Sequence, residues 1–172
     1  MCIRDSQYIL DSDRKEYWLV NSLPSSNGIY DKVIAWYCQS VLRFISPLTN
    51  LIVSYPVHSI NSTQYNSGET NKQQMTLGSS QHLIYIPYNK ETILMDHGCR
   101  LLLDRNLENP TAYRLTQVDS TSYAFKEGGL LQWTIVEDQF SPDRDDKQEM
   151  VADRYAPSPI FSSPAADEGG WL

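Results

Sequence analysis

The chain has 172 residues, with 41% hydrophobic and only 20% charged side chains, which excludes a disordered polypeptide and is enough to build one core. Fourteen Lys and Arg face 21 Asp and Glu, a formal charge of -7 with no basic cluster, which argues against a surface that grips double-stranded nucleic acid. No apolar run approaches the roughly 20 residues of a membrane helix, and Cys2, Cys38 and Cys99 have neither a CxxC pair nor metal-ligand spacing, so they are expected as reduced thiols in a cytosolic setting.

Residues 1–6, Met1-Cys2-Ile3-Arg4-Asp5-Ser6, resemble a translated sequencing-adapter end and are set apart from the fold, which is expected over 7–155. Tyr17-Trp18-Leu19-Val20 predicts a strand, and Pro24-Ser25-Ser26-Asn27-Gly28 a turn, since Pro, Asn and Gly supply the backbone angles a turn requires. The run 32–45 is ambiguous. Val33, Trp36, Tyr37, Ser40, Val41 and Phe44 fall at helical spacing behind Asp31 as a cap, yet the run is rich in β-branched and aromatic residues. Strand is preferred, with a loop at 46–50 and a second strand over Leu51–Val57; helix is the competing reading.

Residues 61–81 break this texture. From Asn61 to Gln74 the one large apolar residue is Tyr65, so the segment has little apolar surface to offset the entropy of ordering it. Long polar excursions inside small domains are often functional. Asn61, Thr63, Gln64, Tyr65, Asn66, Glu69, Lys72 and Gln73 are therefore the candidate contact residues, reaching a neighbouring subunit or lining a channel. The competing view is a surface loop with no role.

β texture resumes with His82–Tyr88, apolar on both faces and so a buried strand, then the short Thr92-Ile93-Leu94, a turn at Asp96-His97-Gly98, and a strand over Arg100–Leu103. A loop over 104–110 leads into a strand over Ala112–Val118. Lys126-Glu127-Gly128-Gly129 reads as a hairpin turn. Leu131, Trp133 and Ile135 then alternate with Gln132, Thr134 and Val136, the period of a half-buried strand. Past Glu137 the chain turns acidic, a turn of helix near Lys147–Ala152 is conceivable, and 156–172 reads as a tail or linker of Pro, Ser, Ala and Gly. Closely spaced strands joined by local turns predict an all-β fold, a small antiparallel barrel or sandwich.

Three constellations offer residue types that can carry chemistry. His97 and Cys99 juxtapose a base and a thiol, but residues this close on a turn rarely align as a dyad, and a buried structural thiol is the simpler reading. His58, His82 and His97 share no ligand spacing. Asp143, Asp145, Asp146 and Glu149 lack the glycine and terminal glutamate of a calcium loop and read as a solvated acidic face or a partner surface. No catalytic residue, cofactor or metal is expected, and the chain is read as not an enzyme.

The stretch 60–155 resembles small head-completion or head–tail joining (connector) proteins of tailed phages of Gram-positive bacteria. The words that carry the resemblance are Asn61-Ser62-Thr63-Gln64-Tyr65-Asn66-Ser67-Gly68-Glu69, Gly78-Ser79-Ser80-Gln81-His82, Leu101-Leu102-Leu103-Asp104, Asn109-Pro110-Thr111-Ala112-Tyr113, Val118-Asp119-Ser120-Thr121-Ser122-Tyr123 and Val136-Glu137-Asp138. Tyr17-Trp18-Leu19 and Trp36-Tyr37 fit the same layout more loosely. The resemblance implies a β-barrel that forms a homo-oligomeric ring below the portal, docks the tail, and takes its place in the virion after assembly in the bacterial cytoplasm. Portal and tail proteins are the implied partners. DNA would pass through without being bound, repelled by carboxylates. Another virion β-domain (tail-tube, tail-completion or capsid-decoration) is the alternative, and a ligand-binding barrel or enzyme the more distant one.

Overall fold

A computed structural model describes residues 8–23, 25–61, 81–103, 108, 110–125 and 128–155. The strands are β1 (Tyr8–Asp11), β2 (Glu16–Val20), β3 (Ser25–Ser26), β4 (Asp31–Lys32), β5 (Ala35–Tyr37), β6 (Ser40–Ile45), β7 (Ile52–Asn61), β8 (Gln81–Pro87), β9 (Arg100–Leu102), β10 (Ala112–Asp119), β11 (Ala124–Phe125) and β12 (Gly128–Asp138). Among the described residues there is no α-helix. Six strands close into an antiparallel barrel in the order β10-β9-β6-β7-β8-β12 and back to β10, with β11 added along β12.

Closure follows from alternation. Leu42 and Phe44 of β6, Val57 of β7, Ile84 and Ile86 of β8, Leu101 of β9, Leu115 of β10 and Leu131, Trp133 and Ile135 of β12 point inward and are buried together. Met95 and Cys99 join them. The interior is therefore filled by side chains, as six strands leave room for little else. The run 32–45 is extended, as preferred, but it is not one strand: Lys32 ends β4, Ala35–Tyr37 form β5 and Ser40–Ile45 form β6, each in a different sheet. In β6 the period of two holds, with Val41 exposed and Leu42 and Phe44 buried, so the helical spacing was a coincidence of composition. The second strand runs on to Asn61, beyond the expected Val57. Its Pro56 pairs with Val41 of β6, and only from His58 onward does β7 pair with β8, so the missing N–H falls where β7 has a neighbour on one side only. In β10 a bulge at Thr116 shifts register between Leu115 and Gln117, and the Thr116 hydroxyl donates to the Thr134 carbonyl at 3.0 Å.

The outer face of the wall is covered twice. A three-stranded sheet, β1-β2-β5, packs Leu19, Tyr8, Trp36 and Cys38 onto Leu83, Tyr85 and Leu130. This explains why β8 is apolar on both faces. Opposite it in sequence, residues 139–155 run as a strap over β9 and β10, burying Leu102, Ala112 and Ala152 with Phe140 and Met150.

Three local expectations are corrected. Thr92–Leu94 is a 3-10 turn, not a β element, because the Asn89 side-chain oxygen accepts the N–H groups of Glu91 (2.9 Å) and Thr92 (2.8 Å) and winds the chain. Gly128 and Gly129 lie in β12, paired with Phe125 and Ala124, so they are strand residues and not the tip of the hairpin. A Cβ on Gly129 would stand 2.2 Å from the Tyr123 carbonyl oxygen, with φ at +129°, which leaves glycine the residue that fits. Residues 147–152 form no helix: Asp146 and Val151 pair across a tight turn, the Asp146 carboxylate accepts the N–H groups of Gln148 (2.9 Å) and Glu149 (3.1 Å), and Met150 takes φ 54°.

Candidate functional site

Of the candidate contact residues, Asn61 closes β7, where it pairs with His82 next to the first residue of β8. Thr63, Gln64, Tyr65, Asn66, Glu69, Lys72 and Gln73 lie outside the described residues, as do 1–6 and 156–172. The root of the polar excursion is thus a pair of adjacent barrel strands.

The histidines and cysteines that could carry chemistry do not converge. Cys99 is fully buried in the core and its thiol pKa is pushed up by burial, whereas His97 is exposed and held by Asp96 through Nδ1 at 2.6 Å. One side chain faces the core and the other faces water, so they form no dyad. His58 faces outward, its ring 5.3 Å from Trp36 and its Nδ1 2.8 Å from the Tyr37 carbonyl oxygen. His82 lies on the opposite side of the wall, edge-on to Tyr113 at 5.1 Å. Among the described residues, no group of three or more His, Cys, Asp or Glu is disposed to hold a metal ion.

The acidic stretch is not a solvated face. Asp143 and Glu149 are exposed, but Asp145, Asp146 and Asp153 are buried. Asp146 is held by Arg154 (3.2 Å), the Tyr155 hydroxyl (3.1 Å) and the N–H groups of its own turn. Asp145 and Asp153 turn inward because Arg100 projects outward from β9 beneath the strap. All five guanidinium N–H groups have acceptors: Nε to Asp138 (3.2 Å), one terminal nitrogen to Asp145 (2.7 Å) and Asp153 (2.8 Å), the other to Asp145 (2.9 Å) and the Gln139 carbonyl (2.6 Å). Asp145 also accepts the backbone N–H groups of Ser141 and Asp153, at 2.9 Å each. Arg144 holds Asp153 at 2.8 Å and Arg114 holds Asp138 at 3.1 Å. Burial alone would lower the Arg100 pKa, but hydrogen bonds and charge from Asp145 and Asp153 raise it above its ordinary value. With both Asp145 oxygens taken by N–H donors, the cluster is a clasp for the strap and not a cation site.

A second polar network fixes one end of the barrel. Glu91 accepts the hydroxyls of Ser46 (2.9 Å) and Tyr55 (2.6 Å), and Asn89 donates to the Tyr55 oxygen at 3.1 Å. Burial first, then the carboxylate, raises the Tyr55 pKa to about 12. This ties the turn 46–51 to the 3-10 turn. Both present apolar side chains to solvent: Leu48, Leu51, Ile93 and Leu94, with Tyr88 beside them.

Sequence reasoning missed a third feature. β3 and β4 pair only with each other among the described strands and extend the β2–β5 pair as a hairpin arm, continued by the Asn21 N–H to Ile34 carbonyl bond at 3.0 Å. The Asn27 side chain accepts the N–H groups of Ile29 and Tyr30, at 3.0 Å each, with Gly28 at φ +84°. The tip so formed leaves Ile29 88% exposed, with Tyr30, Leu23 and Ile34 also open to solvent. The signal was Ile29-Tyr30 beside Asn27-Gly28, two large apolar residues where a turn ordinarily carries polar ones.

No protein-family model, curated protein or solved structure matches the chain.

Proposed function

We propose that this chain is a structural subunit of a tailed-phage virion, a head–tail connector or head-closure protein that acts through its surfaces and assembles as a ring between portal and tail. The observation that carries this reading is where the protein spends its apolar side chains: the barrel lumen is filled, while a hairpin arm and one barrel end hold large apolar groups in solvent. A barrel that bound a small ligand would be expected to keep a concave, partly polar lumen. Large apolar side chains exposed on one arm and on one barrel end instead point to contact with other macromolecules. The sequence words over 60–155 that resemble connector proteins, and the polar excursion between β7 and β8, support the same reading. The net charge of -7 suits a ring through which DNA slides without adhering.

Mixing the purified chain with a portal ring, followed by mass photometry and negative-stain microscopy, tests this. A stoichiometric collar on one face of the portal is expected. Absence of association with portal, together with binding to an isolated tail tube, would move the protein to another station in the virion; association with neither would overturn the reading.

A further inference from the structure

The geometry points to a head-to-tail junction between copies of this chain, in which the β3–β4 arm of one copy packs on the apolar end of the barrel formed by the turn 46–51 and the 3-10 turn of the next. The inference deepens the proposed function by naming the contact that would build its ring.

Three observations carry it. First, the arm is preformed. Its tip is closed by the two Asn27 hydrogen bonds and the Asn27 N–H to Tyr30 carbonyl bond at 3.4 Å, so Ile29 and Tyr30 are presented with little ordering entropy left to lose on binding. Second, the receiving patch is preformed as well. The Ser46 N–H donates to the Leu51 carbonyl at 2.8 Å, and Glu91 bonds both the turn and Tyr55 beneath it. The Ser46–Glu91 bond thus joins the turn that exposes Leu48 and Leu51, the latter 68% exposed, to the turn that exposes Ile93 and Leu94.

Third, the areas match. Taking a large apolar residue at roughly 200 Å², the exposed parts of Leu23, Ile29, Tyr30 and Ile34 present about 500 Å², and those of Leu48, Leu51, Ile93, Leu94 and Tyr88 also about 500 Å². Covering them all would bury about 1,000 Å² before any polar rim is counted, the lower limit for a biological contact, and each copy in a ring makes two such junctions. Asp31 and Lys32 on the arm and Lys90 beside the patch are exposed and supply a polar rim. An arm-to-arm dimer would leave the patch bare. Arm-to-patch contact covers both surfaces, and because it is heterologous it propagates from copy to copy, forming a ring where the rotation closes.

The test uses two full-length variants, Tyr30→Asp and Leu51→Asp. Both positions are exposed, so each variant is expected to keep the wild-type circular-dichroism spectrum and a cooperative melt, lowered only by the stabilisation that assembly gives the wild type. Native mass spectrometry and light scattering should show the wild type as a multimer and each variant alone as a monomer. An equimolar mixture should give a discrete dimer, because the first variant keeps an intact patch and the second an intact arm. Any one of three results would overturn the inference: a wild type that stays monomeric at its highest soluble concentration, variants that assemble like wild type, or loss of assembly in the arm variant alone with the patch variant unaffected. Portal binding is read separately. A chain that binds portal yet fails this test keeps the proposed function and loses the junction.

Discussion

Arg100→Met separates a clasp from a bystander. The substitution keeps an unbranched stem of similar reach on β9 and removes five donors from beneath the strap. Asp153 retains Arg144 and Asp138 retains Arg114, so the carboxylate left without a cation is Asp145, fully buried and held by two backbone N–H groups. Removing one partner of a buried pair costs about 3–5 kcal/mol, and the surviving N–H donors place this case near the lower figure. The barrel core is a separate cluster from the small one under the strap, so the loss should appear first as opening of 139–155. At about 1.4 kcal/mol per tenfold change, limited proteolysis at Arg144 or Lys147 should accelerate about 100-fold, and amide exchange over 141–153 likewise. Pairing the change with Asp145→Leu should recover much of the loss, since an apolar replacement of both partners leaves no buried charge. If Arg100→Met cleaves at the wild-type rate, the guanidinium does not hold the strap and the account of the acidic stretch fails.

Acid should open the same clasp. Despite burial, which acts the other way, the Gln139 N–H and Arg114 lower the Asp138 pKa, and backbone N–H groups of Glu149 and Gln148, with Tyr155, lower that of Asp146. A carboxyl whose folded pKa lies below its unfolded value near about 4 adds stability above that value and loses it as pH falls through the folded one, so protection of 139–155 should fall below about pH 4 and stay flat from there to neutrality; an unchanged exchange pattern at pH 3 would contradict this. Gly129→Ala should destabilise by about 2 kcal/mol or more, since both the contact with the Tyr123 carbonyl and the positive φ oppose a Cβ, and urea unfolding followed by tryptophan fluorescence reads it. Burial raises the Cys38 pKa to about 12 and that of Cys99 above its ordinary value, so peptide-level mass spectrometry should find both unmodified by maleimide at pH 7 until denaturant is added.

The barrel was legible wherever one face of a strand is dry. Leu131, Trp133 and Ile135 alternate with half-exposed neighbours, and the same residues fill the lumen. His82–Pro87 could be read as a buried strand without knowing that the β1-β2-β5 sheet covers its outer side, but Tyr88, counted with it, lies past the strand and is exposed. What escaped was long-range. The fate of Asp138, Asp145 and Asp153 depends on Arg100, 38 residues before Asp138 in the chain and 53 before Asp153, and nothing local distinguishes an aspartate that will meet a guanidinium from one that stays in water. The arm escaped for the opposite reason: the turn read over 24–28 falls at Asn27–Tyr30, Ser25 and Ser26 are strand residues paired with Lys32 and Asp31, and the isolation of that hairpin from the rest of the sheet is a fact of topology.

The clasp also bears on how the barrel closes. β6 and β9 share a single residue pair, Arg43 with Leu102, whereas β12 pairs along most of its length with both β8 and β10. That junction is therefore the weakest in the ring of strands, with few backbone hydrogen bonds to hold it. The strap crosses β9 and reaches β6 from outside, where Arg43 bonds Glu149 at 3.2 Å. Both partners are substantially exposed, and such a pair contributes at most about 1 kcal/mol, so the contact sets position while Arg100 and the apolar contacts of Leu102 and Ala152 hold the strap down. Release of the strap should accordingly loosen the β6–β9 seam next. In the Arg100→Met chain, amide exchange at Arg43 and Leu102 should rise together with 141–153, while the β8–β12 amides keep wild-type protection; simultaneous exchange of all three regions would mean that the barrel has no weak seam and opens as one unit.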